Sequence, residues 1–512
     1  MGKWTRRAFI TTGVAAGGAV VFGVAIRRGD RSGKVRGLVA ADGESLFDVW
    51  LKIAPDNSVT AIIPHADMGQ GVHTALAMML ADELDADWSG VRFEEAPAHK
   101  EFANYALARE YSTSGMDFPA WLIDSVDGLF FRATQMMGLQ ITGGSLSVRT
   151  TGQLAMRVTG AATRAVLLQA AADEWQVPVA ELRAADSMIR HEATGREATF
   201  AHFAPAAAAL PLPDKPALKS PDAFRIMGTS PPRFDVPSKV DGSANFGIDA
   251  VLPGMKYATI KAAPVFGGRV LSVDESSVQD MPGVRKVVDL GDAVAVIADG
   301  YWQAKKALDK LAIEFSDGGN GAAAQTGIFE QFARELDSAA ADGRAKKDFE
   351  SGDAATALDG AARVLEAEYR VPFLAHATRE PMNCTAWVHD NRCELWLGTQ
   401  NPLGFAREVA RAINMDQAQV YLHNQYLGGG FGRRAFDDFA IQAAKLAADA
   451  PYPVKLIWSR EEDMRHDHYR QASISRFRGG LDASGGAIAW HNHYVNKHDP
   501  EEAPHIPYAI AD

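Results

Sequence analysis

Cysteine is scarce in this sequence, which has Cys384 and Cys393 and no other among its 512 residues. Two cysteines cannot build a disulfide framework, and an iron–sulfur cluster usually takes about four thiolate ligands from the protein. The Cys-x-x-Cys-His pattern that attaches a c-type haem is also absent. If the chain carries out redox chemistry, groups other than cysteine must hold its cofactor.

Basic residues are in deficit as well: 52 Lys and Arg face 64 Asp and Glu, which gives a formal net charge of −12. An acidic chain has no general attraction for nucleic-acid phosphates, so we expect no nucleic-acid partner. Hydrophobic residues make up 47% and charged residues 23%, which is typical of globular proteins and excludes a mainly disordered or fibrous chain. At roughly 150 residues per domain, the length predicts about two to four domains.

Long apolar runs are absent except near the N-terminus. There, residues 10–26 form an apolar stretch rich in Gly and Ala, which follows shortly after Arg6-Arg7. Paired arginines before a weakly hydrophobic segment are similar to a twin-arginine export signal, which carries folded proteins. Residues 1–32 therefore predict export to the periplasm. The alternative is a retained anchor in the inner membrane, since about 17 residues is the lower limit for a membrane span.

The rest of the chain alternates β-type and helical segments, which predicts an α+β fold with several domains. Composition and turn signals divide it into segments 43–225, 226–316, 317–363 and 364–512. The second segment has short β-type runs and Pro-Gly turns, so we expect a compact α+β domain there. The third segment is rich in Gly, Ala and Asp, and we expect it to form an exposed, helical connector.

The clearest candidate site is the turn Gly-Gly-Gly-Phe-Gly at residues 428–432, between a β-type run at 419–422 and a helical stretch at 435–448. Glycine allows positive φ and a close approach of the backbone to a ligand, and a helix N-terminus offers N–H groups to an anion. The dinucleotide fingerprint fails because Arg433 stands where its third glycine belongs. From this segment alone, a tight turn and a ligand loop both remain open.

Two further glycine turns carry polar side chains. Residues 69–74 read Gly-Gln-Gly-Val-His-Thr, where Gln70 supplies amide and carbonyl groups and Thr74 supplies a hydroxyl near the first helical turn. The alternative interpretation is a capped helix start in which Thr74 bonds only to backbone. Residues 143–147 read Gly-Gly-Ser-Leu-Ser, a hydroxyl-rich loop that is typical of phosphate contacts but also of ordinary turns.

Taken together, these turns resemble the molybdenum-binding subunit of the xanthine dehydrogenase and aldehyde oxidase family. The resemblance is strongest to its isoquinoline 1-oxidoreductase branch and the related exported aldehyde dehydrogenases. Residues 428–432 are similar to the family loop beside the metal, and 69–74 to its Gly-Gln-Gly-x-x-Thr cofactor loop. Residues 399–402, Thr-Gln-Asn-Pro, are similar to the segment whose Gln faces an oxo ligand. Residues 373–381 resemble the segment that lines the substrate pocket.

The resemblance implies a molybdenum-hydroxylase large-subunit architecture. Segment 226–316 would be the α/β-hammerhead domain, which the stretches 235–253 and 264–268 resemble. Segment 43–225 would be an N-terminal molybdopterin-binding segment in permuted order, because its cofactor loop precedes the Gly-Gly-Gly-Phe-Gly loop. Segment 364–512 would be a further molybdopterin-binding domain.

The resemblance also implies a molybdopterin-type molybdenum cofactor, with the cytosine dinucleotide form as one variant. No protein side chain would bind the metal, because the pterin dithiolene supplies the sulfur ligands. Gln400 would hydrogen-bond an oxo group and is the first catalytic candidate. The cofactor-binding candidates all lie in the three turns: Gly69, Gln70, Gly71, Thr74, Gly144, Ser145, Gly428, Gly429, Gly430, Phe431, Gly432 and Arg433.

The reaction that the resemblance implies is hydroxylation of a small-molecule substrate, an aldehyde or an N-heterocycle, with oxygen derived from water. Ala435 stands where many xanthine-type enzymes carry a glutamate, which argues against a purine substrate. Because the chain lacks ligands for iron–sulfur clusters and haem, a small [2Fe-2S] partner subunit is implied, with a cytochrome c beyond it as electron acceptor.

A general base is missing from the pattern. The family has a glutamate in a Gly-Glu motif near the C-terminus, and we find no such motif in the C-terminal part of this sequence. By resemblance, the sequence stops in mid-domain at Asp512. We therefore expect segment 364–512 to be incomplete, and the alternative function is a truncated, non-catalytic fragment or an assembly partner. Glu380 is the second catalytic candidate. It is open to three interpretations: a substrate contact, a base, or an ion pair with Arg379 or another cation.

Overall fold

The computed structural model describes residues 31–113 and 120–495. The arginine pair and apolar stretch of the predicted export signal lie outside these residues. The helices are α1 Ser32–Val39, α2 Val72–Leu84, α3 Tyr105–Thr113, α4 Ala120–Met137, α5 Ser145–Thr151, α6 Arg157–Trp175, α7 Phe200–Ala207, α8 Val236–Asp241, α9 Tyr301–Lys310, α10 Gln325–Ala341, α11 Ala354–Asp359, α12 Pro402–Ala412, α13 Asp438–Ala448 and α14 Arg460–Arg465.

The strands are β1 Ser45–Phe47, β2 Leu51–Ile53, β3 Val59–Ile63, β4 Val91–Glu95, β5 Leu182–Ala185, β6 Met188–His191, β7 Arg196–Thr199, β8 Lys256–Ala262, β9 Val270–Asp274, β10 Val284–Asp289, β11 Ala293–Ala298, β12 Ala312–Phe315, β13 Arg363–Val371, β14 Asn383–His389, β15 Arg392–Leu397, β16 Val420–Asn424, β17 Val454–Ile457, β18 Ser473–Leu481 and β19 Ala487–Val495. This mixture of helices with parallel and antiparallel strands confirms the predicted α+β class.

The chain folds into two compact units. Unit 1 comprises the residues up to 258, together with 297–301 and 378–457, and unit 2 comprises 259–296, 302–377 and the residues from 458 onward. Each unit combines stretches that are distant in the sequence. The segment boundaries drawn from composition and resemblance stay predictions.

The first sheet of unit 1 has the strand order β1-β2-β3-β4. β3 is antiparallel to β2 and parallel to β4, and a parallel pair needs a crossover connection, which α2 provides. Every residue of β3 is buried, so the turn at 69–74 that leads into α2 starts from a rigid core strand. α2 approaches α6 closely at Gly160, where an added Cβ would lie 2.4 Å from the carbonyl oxygen of Leu80.

A second sheet contains, within unit 1, the neighbouring strands β8-β17-β14-β15-β16, and β8 is parallel to β17. β14 is antiparallel to both of its neighbours, whereas β15 and β16 are parallel and are connected through α12. The carboxyl ends of adjacent parallel strands meet at one edge of a sheet, which is where α/β folds commonly bind ligands. Residues 399–402 follow β15 and residues 428–432 follow β16, so this topology places the two predicted site segments side by side. A small antiparallel sheet, β5-β6-β7, completes unit 1.

Unit 2 contains the antiparallel sheet β13-β18-β19, whose first pair runs in register from Arg363 opposite Leu481 to Val371 opposite Ser473. β12 pairs with β9 in a separate two-stranded ribbon. The predicted connector contains α10 and α11. Among residues 31–113 and 120–495, no helix has the combination of length and apolarity that crossing a membrane requires.

Candidate functional site

The Gly-Gly-Gly-Phe-Gly loop between β16 and α13 has a backbone that glycine makes possible. φ is positive at Gly429 (96°), Phe431 (56°) and Gly432 (105°), a region that side chains with a Cβ rarely adopt. At Gly428 the reason is space rather than φ, because an added Cβ would lie 2.3 Å from the Cβ of Glu380. The loop is therefore packed directly against the segment that carries Glu380.

Glu380 is buried and fully hydrogen-bonded. Its Oε2 accepts from the N–H of Gly428 at 2.8 Å and from Nη2 of Arg434 at 2.9 Å. Its Oε1 accepts from the N–H of Ile248 at 2.9 Å and from Nδ2 of Asn383 at 2.8 Å. A carboxylate offers about four lone-pair sites, and these donors use them. The geometry favours the ion-pair interpretation of Glu380, with Arg434 rather than Arg379 as the cation, while its catalytic role stays a prediction.

Arg434 ties the loop to its surroundings and was not among the predicted site residues. It is completely buried. Its guanidinium donates to three carbonyl oxygens: Glu380 at 2.8 Å, Gly429 at 2.9 Å and Gly398 at 3.3 Å. Its own carbonyl oxygen accepts from the N–H of Gln400 at 2.9 Å. One side chain thereby joins the end of β15, the glycine loop and the Glu380 segment.

Gln400 lies at the point where the predicted segments meet. Its Nε2 donates to the carbonyl oxygen of Thr142 at 3.0 Å, and its Oε1 accepts from the N–H of Gly432 at 3.1 Å. The N–H of Thr142 donates in turn to the carbonyl oxygen of Gln400 at 2.8 Å. An added Cβ at Gly430 would lie 2.6 Å from Gln400 Oε1 and 2.5 Å from Met68 Sδ. Gln400 therefore contacts the glycine loop and Thr142, the residue before the turn at 143–147, while Met68, the residue before the turn at 69–74, lies against Gly430 of the same loop.

Two side chains predicted to contact the cofactor, Gln70 and Thr74, form hydrogen bonds with the protein backbone instead. Gln70 accepts from the N–H of Met68 at 2.7 Å and donates to the carbonyl oxygen of Ala66 at 3.1 Å. Thr74 Oγ1 accepts from the N–H of Phe234 at 3.1 Å, which favours the interpretation in which this hydroxyl bonds only to backbone.

Arg433 and Ser145 differ in their surroundings. The guanidinium of Arg433 is buried and donates to both carboxylate oxygens of Asp438, at 2.9 and 2.8 Å, which anchors the start of α13. Ser145 is exposed at the first residue of α5, directly after Gly144. Their assignment to cofactor binding stays a prediction, and Ser145 has the geometry better suited to it.

The donor set fits a phosphate-bearing pterin cofactor. An added Cβ on Gly69 or Gly144 would meet no atom within 4 Å, so both glycine turns border open space. Gly71 is the N-cap residue of α2 and has no side chain that could accept a hydrogen bond from the helix. The first N–H groups of α2 are therefore available to an anion. Gly69, Gly71 and Gly144 have positive φ, and this conformation lets the backbone approach a ligand closely.

A titratable cluster beside Gln400 has no counterpart in the predicted site. Burial, with a smaller effect from the Asp67 carboxylate, raises the pKa of Glu95 to about 8, although a hydrogen bond from Asn424 opposes the shift. Burial lowers the pKa of His65 to about 3, and it also lowers the pKa of His73. Both imidazoles are therefore neutral near pH 7. Sequence pattern offered no sign of this cluster, because Glu95 and its partners Asp67 and Asn424 come from three separate stretches of chain.

Residues 337–507 match a protein family described as the molybdopterin cofactor-binding domain. Isoquinoline 1-oxidoreductase subunit beta from Brevundimonas diminuta is 29% identical over 94% of this chain and 62% of its own length. The membrane-bound aldehyde dehydrogenase [pyrroloquinoline-quinone] from Gluconacetobacter polyoxogenes is 32% identical over 94% of this chain and 59% of its own length. The chain thus spans about three fifths of the length of these two curated relatives.

Among solved structures, quinoline 2-oxidoreductase from Pseudomonas putida 86 is similar over 53% of this chain and 39% of that chain. The sequence identity is 19% and the TM-score is 0.42.

The buried guanidinium of Arg434 generates a stability prediction. Lysine keeps the charge but has a compact ammonium that cannot reach the same set of acceptors, so Arg434→Lys should leave two buried carbonyl oxygens unpaired. We expect a loss of about 2–4 kcal/mol in the free energy of unfolding, measured by urea denaturation. Arg190→Lys is the matched control, because Arg190 is 47% exposed and pairs with an exposed Glu197. Equal stability of the two variants would contradict the assignment.

Proposed function

We propose that the chain is the cofactor-binding subunit of an oxidoreductase of the xanthine dehydrogenase and aldehyde oxidase family, because it carries a molybdopterin cofactor-binding domain and is similar to two such relatives over 94% of its length. Its reaction is the hydroxylation of an aldehyde or an N-heterocycle with oxygen derived from water. The observation that carries this proposal is the meeting of Gln400 and the glycine loop with Thr142 and Met68, the residues that directly precede the other two glycine turns. Glycine-rich turns that lie close together and border open space are the arrangement that lets several backbone segments approach one ligand.

The cofactor, when bound, supplies the two-electron oxidation chemistry, and the chain supplies binding and orientation. The amide of Gln400 is held between Thr142 and Gly432, so it presents a fixed donor and acceptor to the group beside it. The Glu380–Arg434 pair keeps the glycine loop against this amide. The exposed turns at Gly69 and Gly144 offer backbone to the pterin and its phosphates. Fixed donors of this kind need no rearrangement when charge develops, which is how a preorganised site lowers a barrier.

The substrate class rests on the relatives. Isoquinoline and aldehydes stand in the names of the two relatives, which supports an aldehyde or an N-heterocycle for this chain. Ala435 lies at the end of the glycine loop and offers no carboxylate to a polar purine ring, which supports the same choice.

Electrons from the reaction must leave through partners. Cys384 and Cys393 are both buried. Burial raises the pKa of Cys393 to about 12, and it raises the pKa of Cys384 well above its ordinary value. Neither thiol is therefore available as a thiolate ligand at neutral pH. We propose a small [2Fe-2S] subunit as the first acceptor and a cytochrome c as a later one.

The role of Gln400 can be tested through cofactor content. In the complete complex with its maturation factors, Gly430→Ala should displace the Gln400 amide and reduce molybdenum per chain at least fivefold. Gln400→Leu should have the same effect without crowding the loop, and Gly327→Ala is the control because an added Cβ there meets no atom within 4 Å. Elemental analysis and the fluorescence of released pterin provide two readouts. Full cofactor content in both site variants would overturn the proposal.

Export through the twin-arginine route is a further part of the proposal, and it concerns residues outside those that the structure describes. Replacing Arg6 and Arg7 together by lysine should leave folded protein in the cytoplasm, because lysine lacks the planar guanidinium fork. Cell fractionation measures the outcome, and replacing Arg27 and Arg28 by lysine is the control. Undiminished periplasmic protein in the Arg6/Arg7 variant would argue against this route.

A further inference from the structure

Glu95 occupies a junction between the first and second sheets of unit 1. It is the last residue of β4, and its Oε1 accepts a hydrogen bond from Nδ2 of Asn424, the last residue of β16. Asn424 Oδ1 accepts from the N–H of Thr399 at 2.9 Å, and its Nδ2 also lies 3.4 Å from the Thr399 carbonyl oxygen. Thr399 directly precedes Gln400. A short chain of hydrogen bonds thus runs from Glu95 to the residue on which the site converges.

The carboxyl of Glu95 has no cation of its own among the described residues that surround it. His73 Nε2 lies 3.8 Å from Glu95 Oε2, but this nitrogen donates to the carbonyl oxygen of His65 at 2.8 Å, and burial lowers the pKa of His73. The carboxylate of Asp67 repels a negative charge on Glu95 and so helps to raise its pKa.

The cations nearby are engaged elsewhere. Lys239 lies 3.3 Å from Asp67 Oδ1 and 2.5 Å from Asp235 Oδ2. Arg233 donates to both carboxylate oxygens of Asp235, and its Nη2 lies 3.7 Å from Asp67 Oδ1. These two cations therefore pair with Asp67 and Asp235 rather than with Glu95.

We propose that Glu95 is a positioning residue for Gln400, acting through Asn424 and Thr399, and that it holds this position as a neutral carboxylic acid. The hydrogen bonds from Glu95 to Thr399 do not depend on the proposed function. Only the benefit of these bonds to Gln400 rests on the proposed function. The neutral form accepts the Asn424 bond without placing an anion beside Asp67. Ionisation would strengthen the Asn424 bond itself, but it would also place a charge in a poorly solvated site beside Asp67, and this second effect outweighs the first because the pKa is raised in spite of Asn424. We expect the ionised side chain to move toward solvent, which takes the end of β4 away from Asn424.

The direction of the pH dependence follows from the pKa of Glu95, which burial raises from its ordinary value of 4.5 to about 8. The folded state then binds a proton more tightly than the unfolded state. The stability that this proton contributes is complete below pH 4.5 and is lost as the pH rises through about 8. His65 and His73, with lowered pKa values, do not titrate in the upper part of this window.

Glu95→Gln is the informative variant, because the glutamine keeps an acceptor for Asn424 and cannot ionise. Hydrogen exchange of the Thr399 N–H, corrected for the intrinsic effect of pH, measures the link directly in the full chain. In the wild type we expect protection of the Thr399 N–H to fall roughly tenfold between pH 6 and pH 9. At one pH unit above the pKa, only about one in ten Glu95 side chains still carries its proton. In Glu95→Gln the protection should be the same at both pH values.

Glu94→Gln is the matched control. Glu94 is the neighbouring residue on β4, is 50% exposed and pairs with Lys52, so this variant should behave like the wild type. Parallel pH profiles for the wild type and Glu95→Gln would overturn the proposal.

A second variant keeps the proposal testable if Glu95→Gln folds poorly. Asn424→Ala removes the middle of the chain of hydrogen bonds and should abolish protection of the Thr399 N–H at pH 6 and pH 9 alike. Unchanged protection in Asn424→Ala would also overturn the proposal. These readouts do not require a bound cofactor, so a chain that retains no molybdenum would contradict the proposed function and leave this test intact.

Discussion

The buried ion pair between Glu380 and Arg434 is the constraint on which the site depends. Removing two charges from water costs several kcal/mol per ion, and this cost is offset only when the remaining donors and acceptors are satisfied. Here Glu380 receives four donors, and Arg434 donates to three carbonyl oxygens besides the carboxylate. Such a pair tolerates little displacement. Two of its partners, Gly428 and Gly429, lie in the glycine loop, so the ion pair also fixes the position of the loop.

The rest of the site follows from the position of the loop. With Gly432 held in place, Gln400 can bridge it to Thr142, and this contact brings the turn before α5 to the ends of β15 and β16. The same edge of the sheet receives the junction at Glu95 from the first sheet. A small number of buried polar contacts thus joins segments of chain that have no sequence relation, and a network of this kind is sensitive to the loss of any member.

The glycine turns could be recognised in the sequence because glycine has a conformational role that few residues share, whereas Gln400 was predicted from the resemblance of residues 399–402 to a family segment. The functional roles of these residues stay predictions. The structure confirms a helix after the loop, although α13 begins at Asp438 rather than at Ala435. The choice between Arg433 and Arg434 could not be predicted, since adjacent arginines look alike until the fold decides which faces Glu380. Glu95 and Asn424 were missed for a related reason: each ends an ordinary strand, and only the pairing of strands makes them neighbours.

The reading of Glu380 shows what sequence reasoning can and cannot decide. A glutamate in a pocket-like segment is equally compatible with substrate binding, proton transfer and structure, because its chemistry depends on its neighbours. Three of those neighbours, Ile248, Gly428 and Arg434, come from other parts of the chain. The saturation of its oxygens therefore became visible only in three dimensions.

A double-mutant cycle on Glu380 and Arg434 tests the central claim most directly. Glu380→Leu leaves the buried guanidinium of Arg434 without its carboxylate, and Arg434→Met leaves the buried carboxylate of Glu380 without its cation. Each variant should therefore lose about 3–5 kcal/mol in the free energy of unfolding. The double variant removes both charges, and its cost should be smaller than the sum of the single costs by at least about 2 kcal/mol. Costs that add within about 0.5 kcal/mol would show that the two residues act independently, and the account of a loop held by this ion pair would then be wrong.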